Sequence, residues 1–511
     1  MKRSIIKGLL LVALGGGILS SCKKSLEVDP RQSVDAATAL TSRDGINAAI
    51  NGAYARFKGV RLYGRDLIAL PEALSDNGYA TNKSGRLLPE ANNAFNAHFT
   101  GALWQTSYIA INDINLVFDA IPKLDINPAP TPTEIASWEG QLHFLRGLYH
   151  FNLALAFAYI PGATVPAQDR GGVPIMLTGT TNINDAPNVL PGRAPIADVY
   201  TQVVSDLTAA QDRLPFTTGA GFMNTANKVA AQALLSRVNL YRKNYTEAKR
   251  WADSCITRVG SRLTPASAYV TNWRIATHQE TLFQVLYATN SENTGVNESL
   301  QTSFTTLVTP GVQTVTGGFG DLVPSISMLN DLGITLQGGN TDANFRSANA
   351  VVASRTADVR NLLYEPGTAG RGKIYVEATK YIGKNGFINL DNVPVVRVAE
   401  VYLNRAEAMA TPGSPVLNET AALADLNLIL TNRGLPAVAL TGTALYEEIL
   451  RQRRIELAFE GHRFWDIKRL GRDIIKAPHY TNVAFTDARI LAPIPQREVD
   501  GNPNLKQNFG Y

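Results

Sequence analysis

Cysteine is nearly absent from this chain of 511 residues, which holds only Cys22 and Cys255. A disulfide framework is therefore excluded, and the core alone must hold the fold together. Cys255 lies on the apolar face of a predicted helix, where we expect it to be a small buried hydrophobic residue. Hydrophobic residues make up 45% of the chain and charged residues 18%, a balance that excludes general disorder.

Catalytic and metal-binding motifs are also missing. The chain has no Gly-x-Ser-x-Gly elbow and no His-Glu-x-x-His motif. Its six histidines are scattered, and His143 and His150, two helical turns apart, are expected to pack or cap rather than to bind a metal. The sequence therefore predicts no enzyme activity, no metal and no cofactor.

The only long apolar stretch lies at the N-terminus, where it has the three parts of a secretory signal. Three cations open it: Lys2, Arg3 and Lys7. The apolar stretch Leu9–Leu19 is too short to span a bilayer comfortably, and it ends in Leu-Ser-Ser-Cys, which resembles a bacterial lipobox. The sequence therefore predicts a signal peptide over residues 1–21, lipidation of Cys22, and a lipidated tether over residues 22–42.

Little net charge remains once that segment is set aside. The formal charge of the whole chain is +5, and without the three leading cations it is +2. Net charge alone therefore implies no polyanionic partner. The basic run Arg451–Arg454 does not indicate nucleic acid either, because the N-terminal signal predicts export and glutamates lie beside the run.

Helical periodicity dominates the rest of the chain, which divides into three parts. Residues 43–259 and 394–511 are predicted helical regions, each with a hairpin that resembles a tetratricopeptide repeat, because small alanines face large aromatic residues across a short turn. Residues 260–393 are rich in Thr, Gly, Asn and Val and show few helical periods. We therefore expect a mainly α fold, a tetratricopeptide-repeat-like scaffold of helical hairpins that carries a long loop-rich insert lobe.

The C-terminal region carries the most specific pattern. Three runs stand out: Val396–Ala408 (VRVAEVYLNRAEA), Arg451–Arg469 (RQRRIELAFEGHRFWDIKR) and Leu491–Pro495 (LAPIP). In this order they resemble motifs of the SusD/RagB family of outer-membrane nutrient-uptake lipoproteins. Gln452 departs from the family pattern, in which an acidic residue is usual. Residues nearer the front also fit the family: Trp104, Tyr108, Ile111, Asn115, Phe144–Arg146 and Tyr149. With these and the lipobox included, the resemblance spans nearly the whole mature chain.

Physical chemistry favours a structural role for the run 451–469. Arg453, Glu456, Glu460 and Arg463 have spacings that permit ion pairs along and past a helix. Three aromatic residues would anchor the end of that helix in the core: Phe459, Phe464 and Trp465. We therefore expect this run to be scaffold and not a ligand site.

The resemblance implies a function in nutrient capture. A SusD-like protein binds a glycan, either an oligosaccharide or a polysaccharide, and delivers it to a TonB-dependent SusC-like outer-membrane transporter. Some members bind a peptide instead, and that alternative stays open. The resemblance also implies an outer-membrane protein that is anchored by its N-terminal lipid and faces the cell exterior.

Two functions from other classes stay open as alternatives. An exported helical glycoside hydrolase would need two facing carboxylates, but the arginines beside Glu456 and Glu460 would hold both ionised, which is poor for a general acid. A purely structural adaptor would use a concave repeat surface for protein contacts, and direct ligand binding distinguishes it from a capture protein.

Glycan binding requires aromatic rings that stack on sugar rings and polar groups that hydrogen-bond the hydroxyls. We look for both in irregular segments such as 61–97, because the side chains of helices are occupied with packing. Five candidate ligand-binding residues follow: Asp76, Asn77, Tyr79, Trp273 and Phe319. The glycines around Phe319 predict an aromatic ring displayed at a loop tip.

Overall fold

The computed structural model describes residues 39–181, 189–260, 262–347, 351–384 and 386–511. The predicted signal peptide, the lipid site at Cys22 and most of the tether lie outside the described residues and stay predictions. Seventeen α-helices lie in the described residues. Their bounds are α1 Arg43–Arg56, α2 Asp66–Leu74, α3 Leu88–Ala91, α4 Gly101–Ala120, α5 Pro132–Phe157, α6 Ile196–Arg213, α7 Lys228–Tyr241, α8 Tyr245–Val259, α9 Ala266–Arg274, α10 Leu300–Phe304, α11 Ile326–Asp331, α12 Asp342–Phe345, α13 Val398–Ala410, α14 Glu419–Thr431, α15 Gly442–Glu456, α16 Arg463–Leu470 and α17 Gln496–Gly501.

Strands are short and pair only in twos within the same residues. Their bounds are β1 Gly78–Ala80, β2 Thr281–Val285, β3 Leu322–Pro324, β4 Ile334–Leu336, β5 Val352–Arg355, β6 Tyr364–Pro366, β7 Val376–Ala378 and β8 Val393–Arg397. The antiparallel pairs are β1–β3, β2–β8, β4–β5 and β6–β7. Helices dominate, so the prediction of a mainly α fold is confirmed.

The 26-residue helix α5 shows how local sequence sets a helix boundary. The hydroxyl of Thr131 accepts the N–H of Glu134, and the Glu134 carboxylate accepts the N–H of Thr131 in return. Pro132 takes the first helical position, where its missing N–H costs nothing. From Leu142 onward nearly every side chain is buried, because α5 packs against α1, α4 and α6.

Both helical hairpins that the sequence predicts are present. Helices α7 and α8 pack against each other, and Asn227 and Asn244 cap their N-termini by accepting backbone N–H groups. Helices α13 and α14 form the second pair, and α13 also packs against α8. The two hairpins therefore stack on one another. Their closer likeness to tetratricopeptide repeats stays a prediction.

The segment between the hairpins contains α9 to α12, β2 to β7 and long loops. Strand β2 pairs with β8, which leads into α13, and β3 pairs with β1 in the N-terminal part. One apolar core continues through all three parts, from Ile46 on α1 to Leu505 in the tail. The domain boundaries at 43, 260 and 394 stay predictions.

The C-terminal run predicted as scaffold is buried, but its ion pairs have other partners than the spacing indicated. Glu456 on α15 binds Arg397 and Arg433, each at 2.8 Å. Glu460 binds Arg397 at 2.7 Å and Lys380 at 2.6 Å. The cations come from distant segments, because both carboxylates point into the core and not along the helix surface.

Aromatic anchoring of this run is confirmed. Phe459 and Phe464 are fully buried, and Trp465 nearly so. Phe464 and Trp465 pack edge to face with centroids 5.1 Å apart, a favourable ring geometry.

Cys255 is fully buried on α8, as predicted for a small hydrophobic residue. Burial raises the pKa of its thiol to about 12, so the group is an uncharged thiol at neutral pH.

Candidate functional site

A two-stranded ladder brings two distant loops to one surface. In the β1–β3 ladder, Tyr79 lies opposite Val323. Beyond the ladder, the Thr81 hydroxyl donates to the Gly320 carbonyl at 2.7 Å, and the Thr81 N–H donates to the Asp321 carbonyl at 2.9 Å. These contacts hold side by side the segments that carry Tyr79 and Phe319, two of the five predicted site residues, and both residues are partly exposed. We call the surface around these two side chains the β1–β3 surface.

Phe319 is half-buried and lies under two arginines. The guanidinium carbons of Arg371 and Arg86 are 4.1 and 4.5 Å from the centroid of its ring. Asp321 holds Arg86 in place with an Nε–Oδ2 distance of 3.2 Å and accepts the Ser84 hydroxyl at 2.5 Å. The ring is thus one part of a cation–aromatic cluster and not a bare ring at a loop tip.

Tyr79 stands at the other end of this surface in an aromatic cluster. Four rings have centroids within 5.9 Å of its own: Phe345, Tyr375, His479 and Tyr480. Arg346 donates to its hydroxyl at 3.1 Å, and the guanidinium carbon lies 5.4 Å from the ring centroid. Burial lowers the pKa of His479 to about 4, so the imidazole beside Tyr79 is neutral at neutral pH.

Asp76 and Asn77 point away from the surface into the scaffold. The Asp76 carboxylate accepts two hydrogen bonds from Arg463, both at 2.7 Å. Burial alone would raise its pKa, but the charges of Arg463 and Arg454 outweigh burial and hold the pKa below its ordinary range. Asn77 is fully buried and joins Glu72 to Arg454 at 2.7 and 2.8 Å. We therefore assign both side chains to the support of β1 and not to ligand contact.

Trp273 is fully buried and offers no face on which a sugar could stack. Its ring contacts His278, with centroids 4.4 Å apart, and the Lys380 ammonium lies 4.9 Å from the centroid. The prediction that Trp273 contacts the ligand is therefore wrong, because helix α9 places its ring in the core.

The β6–β7 hairpin completes the surface beside Phe319. Glu377 on β7 is buried and accepts hydrogen bonds from Lys83 at 3.2 Å and from the Thr306 N–H at 2.6 Å. Residues Ala369–Arg371 form a short 3-10 turn at the hairpin tip, and Lys373 follows. The tip therefore places two cations over the surface.

Sequence reasoning missed the basic residues of this surface. Two short clusters in irregular segments combine cations with glycine: Lys83-Ser84-Gly85-Arg86 and Arg371-Gly372-Lys373. Such clusters are the signal that could have pointed to them. These cations differ from the aromatic and amide side chains that a neutral glycan site predicts.

A cleft of about 720 Å³ lies elsewhere, between α4 and the C-terminal tail. Trp104, Tyr108 and Asn112 on α4 line it. The Tyr108 hydroxyl donates to the Pro174 carbonyl at 2.9 Å, and the Asn112 side chain exchanges two hydrogen bonds with the backbone of Thr180. These polar groups hold the walls together, and none of the five predicted site residues lines the cleft.

Two features are absent from the part of the chain that the structure describes. Across the ranges given above, no helix combines the length and the apolar character that crossing a membrane requires. Likewise, no three His, Cys, Asp or Glu side chains in that part of the chain are grouped so that they could hold a metal ion.

Comparison with known proteins gives consistent matches over most of the chain. Residues 25–240 match a family described as starch-binding and associating with the outer membrane, and residues 365–511 match the SusD family. SusD-like protein P38 from Formosa agariphila is 24% identical and aligns with 100% of this chain and 99% of its own length.

Solved structures share the fold. A SusD superfamily protein from Bacteroides thetaiotaomicron is 28% identical, with a TM-score of 0.74, over 91% of this chain and 99% of its own. A laminarin-binding SusD-like protein is 20% identical, with a TM-score of 0.66, over 92% of this chain and 100% of its own. The two family matches together cover most of both helical regions, and the two structural matches cover 91% and 92% of this chain. The chain therefore belongs to the SusD-like family of carbohydrate-binding proteins that associate with the outer membrane.

Proposed function

We propose that the protein captures a glycan on its β1–β3 surface and delivers it to a TonB-dependent SusC-like transporter in the outer membrane. The observation that carries this proposal is the pairing of β1 with β3, which holds Tyr79 and Phe319 at one surface. A lipid on Cys22 would anchor the protein there, facing the cell exterior. Family membership supports carbohydrate as the ligand class.

The chemistry of the surface suits a sugar chain. Tyr79 and Phe319 are both half-buried, so each ring is fixed by its neighbours and still reaches solvent. Arg86, Arg346 and Arg371 supply N–H groups around the two rings, and such donors can bind sugar oxygens. Rigid rings with a few placed polar groups are the usual composition of a ligand site.

A hydrolytic function has less support. Glu456 and Glu460 are buried, and the charge of Arg397 contributes to holding the pKa of each carboxyl below its ordinary range. Neither can serve as a general acid, which must hold a proton near neutral pH. The peptide alternative shares its site with the glycan proposal and is an outcome of the same experiment.

The test is affinity electrophoresis of the full-length protein in non-ionic detergent, in gels that contain one polysaccharide each. We expect one class of polysaccharide to retard the protein. Tyr79→Ala and Phe319→Ala should each weaken binding about tenfold or more, because truncation of an anchoring aromatic residue commonly costs this much. Delivery further predicts that the protein co-purifies with a TonB-dependent transporter from its native membrane.

Phe509→Ala is the matched control, since its ring is 43% exposed and also lies near an arginine, Arg170, with 5.7 Å to the centroid. If both site variants were still retarded like the unmodified protein, the protein would capture a glycan, but at a site other than the β1–β3 surface. Retention by no polysaccharide, together with binding of a peptide mixture, would replace the glycan with a peptide.

A further inference from the structure

We propose that the β1–β3 surface selects an anionic glycan, one that carries sulfate or carboxylate groups along its chain. This inference rests on the proposed function of the surface and names the class of ligand. Three observations support it: an excess of cations, carboxylates that are already engaged, and two unpaired cations at the tip of the β6–β7 hairpin.

Cations outnumber carboxylates around the two rings. Three cations contact the two rings directly: Arg86 and Arg371 lie over Phe319, and Arg346 lies over Tyr79. Two more lie beside them: Lys83 over the neighbouring ring of Tyr375, and Lys373, whose ammonium donates to the Arg346 carbonyl. Three carboxylates pair with members of this set: Asp321, Asp342 and Glu377. A surplus of two positive charges remains on one small surface, although the formal charge of the whole chain is only +5.

The three carboxylates are already engaged. Asp321 accepts from Ser84 and Arg86, and its side chain is 1% exposed. Glu377 is fully buried between Lys83 and the Thr305–Thr306 segment. Each carboxylate already lies against a cation, Asp321 against Arg86 and Glu377 against Lys83, and burial raises the pKa of both carboxyls.

Arg346 is also neutralised, because Asp342 binds it at 2.8 Å one helical turn away. The remaining charges are those of the hairpin tip. Arg371 and Lys373 are exposed, and neither forms an ion pair with any carboxylate of the described residues.

The two tip cations reach both ends of the surface. Arg371 lies over Phe319, at 4.1 Å from the ring centroid. The Lys373 ammonium donates to the Arg346 carbonyl, and the Arg346 guanidinium in turn donates to the Tyr79 hydroxyl. A glycan that lies from Tyr79 to Phe319 would therefore pass two cations that have no carboxylate partner among the described residues, Arg371 at the Phe319 ring and Lys373 beside Arg346.

The chemistry of these groups favours an anion. An arginine can donate two parallel N–H bonds to a sulfate or carboxylate, and such charge-assisted bonds are about twice as strong as neutral ones. A surface with free donors and engaged carboxylates fits acceptor oxygens that carry negative charge better than it fits hydroxyls. Sulfate and carboxylate share this chemistry, so experiment must distinguish them.

The experiment measures equilibrium binding of the full-length protein in detergent to three sets of polysaccharides by biolayer interferometry. The neutral set is dextran, laminarin and starch, the sulfated set is dextran sulfate and carrageenan, and the carboxylated set is polygalacturonate and alginate. The variants are Arg371→Gln/Lys373→Gln and, as a control for an exposed arginine elsewhere, Arg170→Gln. Polyglutamate controls for general attraction to polyanions.

We expect a sulfated or a carboxylated set to bind at least tenfold more tightly than the neutral set. The double variant should lose about tenfold in that affinity at low salt and less at high salt, where charges are screened. The set that binds more tightly shows whether the surface recognises sulfate or carboxylate groups. Arg170→Gln should bind the same glycans as tightly as the unmodified protein.

Three results would overturn the inference. Tight binding of a neutral glycan that the double variant retains would reject anion selection and leave glycan capture standing. If polyglutamate bound as tightly as the charged glycans, the protein would be attracting polyanions in general and would not be selecting an anionic glycan. Binding of no glycan in any set would reject the proposed function together with this inference.

Discussion

At the scale of single residues, the candidate site depends on positions that lack a side chain. A Cβ on Gly318 would lie 2.2 Å from the Thr305 carbonyl oxygen, and one on Gly367 would lie 2.2 Å from the Glu377 carboxyl carbon. Gly320 has φ of +61°, a conformation that other residues rarely adopt. The first close approach lets the Phe319 loop pack against the C-terminal end of α10. The second lets the β6–β7 hairpin pack against the Glu377 side chain.

Gly318→Ala should therefore displace the Phe319 loop. We expect the free energy of unfolding to fall by about 1–3 kcal/mol, as for overpacking of a tight interior. Glycan binding should weaken as well, because Phe319 is the next residue. Urea unfolding and affinity electrophoresis measure the two effects.

Gly219→Ala is the matched control, since a Cβ there meets nothing within 4 Å. It should leave stability and binding unchanged. If Gly318→Ala and Gly219→Ala had the same stability and the same glycan affinity, the loop would be able to relax around the added methyl group. The close approach of Gly318 to Thr305 would then not be required.

At the scale of elements, helix α15 presents two different faces. Its inner face carries Glu456, which binds Arg397 and Arg433 in the core. Its outer face carries Glu447, which pairs with Arg472 while both side chains are nearly half exposed. The same kind of ion pair therefore has two different energetic consequences on one helix.

Glu456→Gln should lower the free energy of unfolding by about 3–5 kcal/mol, because it leaves buried arginines without their counter-charge. Glu447→Gln should cost about 0–1 kcal/mol, since water already screens that pair. Chemical unfolding of both variants at neutral pH gives the comparison. If the two variants lost similar amounts of free energy of unfolding, the buried ion pairs of Glu456 would stabilise α15 no more than the exposed pair of Glu447 does.

Helix type and approximate position were predictable at this scale. The capping box at Thr131 and Glu134 and the asparagine caps of α7 and α8 are local signals that act within one turn. The strand pairings were not predictable, because β1 and β3 are three-residue segments far apart in the chain. Strands this short carry too little periodic pattern to identify a partner.

At the scale of the whole molecule, buried histidines link stability to pH. Burial lowers the pKa of His150 and His462 to about 4 and that of His98 to about 3, from an ordinary 6.5. Between these values the unfolded chain binds protons that the folded protein excludes. Protonation therefore favours unfolding, and stability falls as the pH is lowered through this window.

We expect the free energy of unfolding to decrease as the pH falls from about 6.5 to about 4, by on the order of 3 kcal/mol for a histidine held near 4. Urea unfolding at several pH values across this range measures the slope. His462→Gln should make the slope shallower. A free energy of unfolding that stays constant between pH 7 and 4.5 would contradict the burial of these neutral imidazoles.

A second decline follows at lower pH. Burial alone would raise the pKa of Glu400, but Arg237 beside it outweighs burial and lowers the pKa to about 2. The stability that this carboxylate contributes is present above its ordinary pKa of 4.5 and is lost as the pH falls toward 2.

The sequence by itself determined the class of this protein. The mainly α fold follows from periodicity and capping, which act within a few residues, and the resemblance to the SusD/RagB family follows from contiguous runs such as Arg451–Arg469. The structural role of that run was also predictable, because aromatic and paired charged residues at helical spacing indicate a helix end in the core. The partners of its charges were not.

Only the tertiary structure decided which candidate residues can meet a ligand. Asp76, Asn77 and Tyr79 lie within four positions of one another, yet the first two turn into the scaffold and Tyr79 turns to the surface. Trp273 is buried by contacts with residues far along the chain. In segments without periodicity, burial depends on long-range partners such as Arg463 and β3. Local sequence does not encode these partners. The basic clusters can be read from the sequence, but only the folded chain brings them together around Phe319.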